Sequence, residues 1–140
     1  MIKILVFKEI ACPISGVFIS NVVKVAARSE KKIRGVVEIV VVPDKTMKEL
    51  NKKYRKKNKT TDVLSFAWNE DKKVTSQVLG QIYISYPQIV KQAKQYQVSV
   101  RQEFARMLAH GILHLVGYDH MNKKDEKKMI TRQEKIIDNI

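Results

Sequence analysis

Apolar runs of two kinds divide the chain into predicted strands and helices. Short runs rich in β-branched residues predict strands at positions 2–7, 36–42, 62–66 and 79–85. The run at 36–42 is almost continuously β-branched, which predicts a strand buried on both faces. The last two runs, joined by the polar residues 69–77, predict a hairpin with a loose loop.

Apolar residues recurring at helical spacing predict five helices, at 16 to about 31, through Met47, Leu50 and Tyr54, at 87 to about 97, from 99 to 116, and from about 123 to 139. Pro43 ends the preceding strand, and Asp44 or Thr46 can cap the second helix. Ser99, with Gln102 three residues later, has the pattern of a capping box.

The fourth helix is apolar on nearly all sides between Phe104 and Val116, which predicts a central buried helix. The fifth is amphipathic, and its predicted apolar contacts are Met129, Ile130, Ile136 and Ile137. Together the elements predict one α+β domain over residues 1–140, a small mixed sheet with helices packed on it.

Charge and cysteine content narrow the classes of partner and compartment. The 27 Lys and Arg against 14 Asp and Glu give a formal net charge of +13, which favours polyanions. Nucleic acid is the first candidate and an anionic membrane surface the second, while a generally lysine-rich proteome would give the same bias. The single Cys12 cannot form an internal disulfide, which fits a reducing cytosol, and we expect neither a signal peptide nor a membrane span.

The three histidines of the chain all lie within eleven residues, at His110, His114 and His120. The first two are one helical turn apart on the same face. Gly117 can adopt the left-handed conformation that ends a helix, so that His120 returns to the same point. Three imidazoles with an open fourth position are typical of a catalytic zinc site, and nickel or iron would also suit them. Histidines that only fill a buried helix are the alternative.

The histidine spacing equals that of metzincin proteases, except that Gly111 stands where they carry the glutamate that acts as general base. The pattern therefore predicts a metal site and counts against a metalloprotease.

The segment 110–120, His-Gly-Ile-Leu-His-Leu-Val-Gly-Tyr-Asp-His, resembles the signature of the YbeY endoribonucleases. The resemblance extends to Asn51, Tyr54 and Arg55 with the following 61–66, to Leu79-Gly-x-Ile82, to Glu103, and to the spacing of Met129 and Glu134. Order and spacing agree from about residue 36 onward. Departures are Gln81, where the family usually has Asp, and Thr60 and Ala67, where prolines are common.

The resemblance implies a zincin-like α+β fold with zinc bound by the three histidines. It also implies cleavage of single-stranded RNA, maturation of the 3′ end of 16S ribosomal RNA, and ribosome quality control in the cytoplasm. RNA and the small ribosomal subunit are then the expected partners, and the chain is expected to be a monomer that does not bind membranes.

Other side chains are candidates for supporting roles. Each imidazole that binds a metal should donate its second N–H to a carboxylate or carbonyl, and Asp119, Glu103 and Asp62 are the candidate carboxylates. Glu103 lies two helical turns before His110, although it is as compatible with a solvated position.

Arg55 is the candidate catalytic group besides the metal, because a guanidinium grips phosphate and stabilises its charge. The surrounding basic residues are candidates for RNA binding: Lys52, Lys53, Arg55, Lys56, Lys57 and Lys59. A ring among basic residues suits single strands, yet Tyr54 continues the stripe of Met47 and Leu50 and is predicted to lie in the core. A solvated lysine-rich helix end is the alternative for the whole segment.

The basic residues of the last helix interleave with acids, which is typical of a solvated face. We expect the histidine helix and the strand 62–66 to form the two sides of a basic cleft, with Arg55 reaching in. An RNA-binding assembly factor with a structural metal remains the alternative to an endoribonuclease. A structural zinc normally has four protein ligands, and Asp119 could supply the fourth.

Overall fold

The computed structural model describes residues 2–68, 78–119 and 121–140. In chain order the elements are β1 Ile2–Lys8, α1 Gly16–Ser29, β2 Gly35–Val42, α2 Asp44–Arg55, β3 Val63–Ala67, β4 Val78–Ser85, α3 Tyr86–Tyr96, α4 Val100–Leu115 and α5 Lys123–Asp138. The predicted α+β class with a mixed sheet is confirmed. The loop predicted at 69–77 lies outside the described residues.

The four strands form one sheet in the order β1-β2-β4-β3. β1 and β4 both run parallel to β2, while β3 pairs antiparallel with β4 and forms an edge of the described sheet. The pairing of Ser65 with Ile82 fixes the register of the predicted hairpin. The edge position of β3 matters because the candidate site lies beside it.

Helices cover the two faces of the sheet unequally. The larger core includes Ile39 and Ile82 from the sheet and residues of α1, α3, α4 and α5. On the opposite face, α2 covers a smaller core that contains Val40 and Met47. β2 is buried on both faces only in its second half, where α2 lies over it, because Glu38 in the first half is partly exposed.

The predicted helix ends agree with the structure in part. Ser85 and Ser99 cap α3 and α4 by accepting hydrogen bonds from backbone N–H groups of the first turn. The predicted cap at the start of α2 is wrong, because the capping position is Pro43 and has no side-chain bond. The Asp44 carboxylate instead accepts hydrogen bonds from Ser85 Oγ at 2.7 Å and from the Gln88 amide at 3.1 Å.

Two predicted core positions are wrong. Tyr54 is 50% exposed, and its ring meets the Phe66 ring of β3 at an interplanar angle of 67° with centroids 5.3 Å apart. Ile130 is 47% exposed, whereas Met129 and Ile136 in the same helix are buried. In both helices the apolar stripe is narrower than the sequence suggests.

α4 is the central buried helix that the sequence predicts, with Phe104, Leu108 and Ile112 fully buried. It ends where Gly117 adopts a φ of +98°, the left-handed conformation predicted for it, and Gly117 N–H donates to the His114 carbonyl at 3.2 Å. This stop directs the chain away from the helix axis immediately after the second histidine.

No helix among the described residues is long and apolar enough to cross a bilayer.

Candidate metal centre and nucleic-acid cleft

A cleft of about 600 Å³ lies between α4, the edge strand β3 and the end of α2. It brings together His110 and His114 with Arg55 and Asp62, four residues that the sequence singles out. Its walls are formed by Asn51, Arg55, Lys57, Lys59, 61–65, Ala67, His110, His114 and Leu115. The histidine helix and the strand 62–66 both contribute walls, as predicted, and Arg55 lines the same cleft.

The two described histidines point the same atom at the same place. His114 Nε2 lies 3.1 Å from His110 Nε2, and the ring planes are 78° apart. This follows from their separation of four residues, which puts both rings on one face of α4 about one turn apart.

Gln133 in α5 holds the His110 ring from behind. Its side chain is 7% exposed, and its Oε1 lies 2.9 Å from His110 Nδ1. A hydrogen bond from Nδ1–H to this amide oxygen directs the Nε2 lone pair into the cleft. The sequence analysis missed Gln133. The available signal was its place with Met129 and Ile136 on the buried side of α5, at a spacing of four and three residues.

The Nε2 atoms of His110 and His114 have nearly the separation expected of two zinc ligands. Two nitrogens, each about 2.05 Å from zinc at a tetrahedral angle, lie about 3.3 Å apart, close to the 3.1 Å between the two Nε2 atoms. Within residues 2–68, 78–119 and 121–140, no three His, Cys, Asp or Glu side chains are grouped to hold a metal. The third predicted ligand, His120, lies outside the described residues, so its role stays a prediction.

Arg55 is held in place from two sides. Its Nη2 donates to the Ser65 carbonyl at 3.0 Å, and its guanidinium lies 4.7 Å from the Phe66 ring centroid. Ser65 also donates from Oγ to the Gly111 carbonyl at 2.9 Å, so that this one residue joins Arg55 to the histidine helix. Its Nη1 makes a longer hydrogen bond to the Tyr54 carbonyl at 3.5 Å, and the guanidinium keeps further N–H groups for a ligand in the cleft.

The basic residues after Arg55 divide into two groups. Lys57 and Lys59 line the cleft, whereas Lys52, Lys53 and Lys56 are exposed and do not form its walls.

Asn51 holds the loop that follows α2 by two hydrogen bonds. It is buried, its amide donates to the Lys59 carbonyl at 2.9 Å, and its own carbonyl accepts from Lys57 N–H at 3.2 Å. The φ of +58° at Lys56 completes the turn.

The three candidate carboxylates have different surroundings. Asp62 lines the cleft and accepts hydrogen bonds from Gln92 Nε2 at 3.1 Å and from Val63 N–H at 2.8 Å. Asp119 is exposed at the surface just after the end of α4.

Glu103 is only 2% exposed, so the solvated alternative is wrong for it. Burial raises the pKa of Glu103, and the nearby Arg106 guanidinium, 3.6 Å from Glu103 Oε1, opposes this rise. The Glu103 pKa therefore reflects desolvation more than ion pairing.

Gly111 faces the sheet and not the cleft. A Cβ atom there would lie 3.0 Å from Ser65 Oγ and 3.1 Å from Val63 Cγ2. The close approach of α4 to β3 thus leaves little room for a side chain at position 111. A glutamate at this position would point into the packed interface, which removes the structural basis for a metalloprotease.

Gln81, the departure from the resemblance noted in the sequence, does not line the cleft. It lies on the α2 face of β4, where its amide donates to Glu38 Oε2 at 3.0 Å, and the neighbouring Ile82 packs in the core under α4. The alternation of side chains along a strand places position 81 on the face opposite to the histidines.

Comparison with known proteins identifies the family. The family model described as Endoribonuclease YbeY matches residues 14–140. A protein named Endoribonuclease YbeY from Thermodesulfovibrio yellowstonii is 44% identical over 106 residues, which cover 75% of this chain and 67% of that protein. One of the same name from Halalkalibacterium halodurans is 43% identical over 123 residues, which cover 80% and 77%.

A solved structure agrees with the fold. The solution structure of TM1509 from Thermotoga maritima superimposes with a TM-score of 0.66 at 27% identity, covering 97% of this chain and 87% of that one. These relatives define a class of enzymes, hydrolases that act on RNA. The chain belongs to the endoribonuclease YbeY family.

Proposed function

We propose that the chain is a zinc-dependent endoribonuclease that cleaves single-stranded RNA. Its roles in the cell would be maturation of the 3′ end of 16S ribosomal RNA and quality control of ribosomes. It would act in the cytoplasm as a monomer on RNA of the small ribosomal subunit. The observation that carries this proposal is the cleft in which two imidazole Nε2 atoms 3.1 Å apart share the walls with Arg55.

His110, His114 and His120 would hold the metal, and Gln133 would orient His110. When bound, a zinc ion supplies Lewis-acid activation of water and offsets negative charge on a phosphate. Nickel or iron could take its place, since this imidazole set suits several metals.

The chain's own residues would bind and orient the RNA. Lys57 and Lys59 on the wall would attract the phosphate backbone. Arg55, oriented by the Ser65 carbonyl and the Phe66 ring, would direct its remaining N–H groups at the phosphate that is attacked. The half-exposed ring of Tyr54, beside Lys53 Nζ at 5.2 Å, is available for stacking with an unpaired base.

The deciding experiment compares the zinc-loaded chain with His114→Ala on a labelled single-stranded RNA, with both proteins purified in parallel. We expect the variant to lose cleavage and to keep most RNA binding, because phosphate contacts dominate affinity. A double-stranded RNA of the same sequence tests strand preference. Equal cleavage by His114→Ala, with contaminating nuclease excluded, would contradict the proposal.

The same experiment separates the enzyme from an RNA-binding assembly factor. A factor with a structural metal would bind RNA without cleaving it, and it would unfold when a chelator removes the metal. An enzyme with an open site would lose cleavage under the chelator while it stays folded.

A further inference from the structure

α5 has a second, outward face on which positive charge is concentrated. Met129, Gln133 and Ile136 point into the molecule. Lysines 124, 127, 128 and 135 and Thr131 fall within an arc of about 100° on the opposite side of the helix. All four lysines are exposed. The interleaved basic and acidic residues of this helix predict a solvated face of mixed charge. In the structure, most of the acidic residues of α5 lie outside the arc of lysines.

Two of the four acids of α5 have hydrogen-bond partners outside the lysine arc. Glu134 accepts from Arg106 Nε at 3.1 Å on the α4 side. The Asp125 carboxylate accepts from Asn122 Nδ2 at 3.0 Å at the start of the helix, and it lines a hollow together with Asp119 and Lys128. Only Asp138, one turn beyond Lys135, lies on the lysine arc. Among the described residues, no ion pair involves the four lysines.

These lysines line a groove of about 560 Å³ whose base is held rigidly. Tyr118 donates to Glu30 Oε2 at 2.9 Å, and Arg132 donates to the Ser29 carbonyl at 3.0 Å, so that α1 and the segment after α4 are fixed to α5. The groove is lined by Tyr118, Lys124, Lys127, Lys128, Arg132 and Lys135, together with Thr131.

The electrostatic repulsion among the basic residues of this arc indicates that the arc binds an anionic ligand. Lys124 and Lys128, and Lys128 and Arg132, are like charges four residues apart, which destabilise a helix. A polyanion along the groove removes this repulsion. From Lys124 to Lys135 the face extends about 16 Å, long enough to follow several phosphates of one strand.

The groove lies close to the cleft along the chain. His114 lines the cleft and Tyr118 lines the groove. Four residues of chain separate their Cα atoms by at most about 14 Å. The lysine arc lies on the side of α5 opposite to Gln133, so an RNA strand that leaves the cleft would pass the end of α4 and continue round α5 to reach the groove.

We infer that the α5 groove is a second binding site for the phosphate backbone of the RNA substrate, used by RNA that extends beyond the cleft. This inference rests on the proposed function, since it concerns the same substrate. It assigns the lysines to affinity for long RNA and gives them no part in the chemical step.

The test uses 2′-O-methyl RNA, which resists cleavage, in lengths of about 5 and about 25 nucleotides. The triple variant Lys124→Ala, Lys127→Ala and Lys135→Ala is compared with the full wild-type chain. The control variant Lys3→Ala, Lys91→Ala and Lys94→Ala removes the same charge from exposed lysines elsewhere. Alanine favours helices, so α5 should stay folded, and thermal unfolding verifies this.

We expect the groove variant to bind the long RNA at least tenfold more weakly at 0.1 M salt, and about 100-fold if all three lysines contact phosphates. The slope of log affinity against log salt should become shallower by about 2. Affinity for the short RNA should stay within twofold, and the control variant should change neither RNA's affinity by more than about threefold.

Several results would overturn the inference: unchanged affinity for the long RNA, an equal loss with the control variant, or equal losses for both lengths. If one of these results is found and the wild type still cleaves short RNA normally, the groove assignment is wrong and the proposed function stands. A wild type that binds neither RNA refutes the groove and the proposed function together. Loss of binding to anionic phosphatidylserine vesicles, with RNA affinity unchanged, would reassign the groove to a membrane surface.

Discussion

Replacing Gln133 by leucine should weaken zinc binding without unfolding the protein. The variant keeps a side chain of similar size but has no group to accept the proton of His110 Nδ1. The hydrogen bond lost is 2.9 Å long and lies in a nearly buried position, so water cannot replace it easily.

The magnitude follows from the same contact. A buried donor left without an acceptor costs about 1–3 kcal/mol. The His110 ring can recover this energy by changing its tautomer, but the proton then occupies the Nε2 atom that should face the metal. We therefore expect zinc affinity to fall about 10- to 100-fold, or about 1.4–2.7 kcal/mol.

The assay is a competition titration with a chromophoric zinc chelator, which does not depend on RNA cleavage. Gln133→Glu should retain zinc affinity, because a carboxylate accepts the same proton. Gln88→Leu is the matched control, since Gln88 binds Asp44 and no histidine. It should lower the unfolding temperature and leave zinc affinity unchanged. Zinc affinity within twofold of wild type for Gln133→Leu would refute the reasoning.

Three further predictions concern single residues. Arg55→Ala should lower the cleavage rate about 100-fold and RNA affinity less than about tenfold, because its charge matters most when charge builds on the phosphate; equal losses in single-turnover rate and in affinity would contradict this. Gly111→Ala should lower the unfolding temperature by overpacking against Ser65 and Val63, although glycine-to-alanine changes inside helices usually stabilise. Glu103→Gln should be more stable than wild type near neutral pH and similar near pH 4, as measured by thermal unfolding.

The sign of the Glu103 prediction follows from its pKa. Burial raises the folded-state pKa of Glu103 above its ordinary value of 4.5. The folded state therefore binds this proton more tightly than the unfolded chain does. The stabilisation is complete below the ordinary value and is lost as pH rises through the raised pKa. Parallel stability curves for wild type and variant would contradict the prediction.

The sequence predicts the elements of this fold because its patterns are local. The β-branched run of β2 and the cap at Ser99 specify backbone conformation within a few residues. The exposure of Tyr54 was not predictable in this way, since it depends on where the end of α2 lies relative to the sheet. The spacing of apolar residues shows which side of a helix faces the core. How much of that apolar side is buried depends on tertiary packing.

The candidate site shows the same limit. The histidine spacing predicts that His110 and His114 share a face, which is a property of one helix. Gln133 lies 23 residues further on and meets His110 only because α5 packs on α4. The role of Gly111 likewise requires β3 beneath it. Partners that come from different elements leave no periodic signal in the sequence.

The edge strand β3 has a consequence for which polymers the cleft can accept. An extended peptide binds beside an edge strand by adding a strand of its own, and for this it needs the free backbone carbonyls of that edge. Arg55 already donates to the Ser65 carbonyl at 3.0 Å and stands over Phe66. A peptide backbone would have to displace this side chain, whereas a phosphate is attracted to it. Arg55, the residue proposed to bind RNA, would thereby obstruct a peptide.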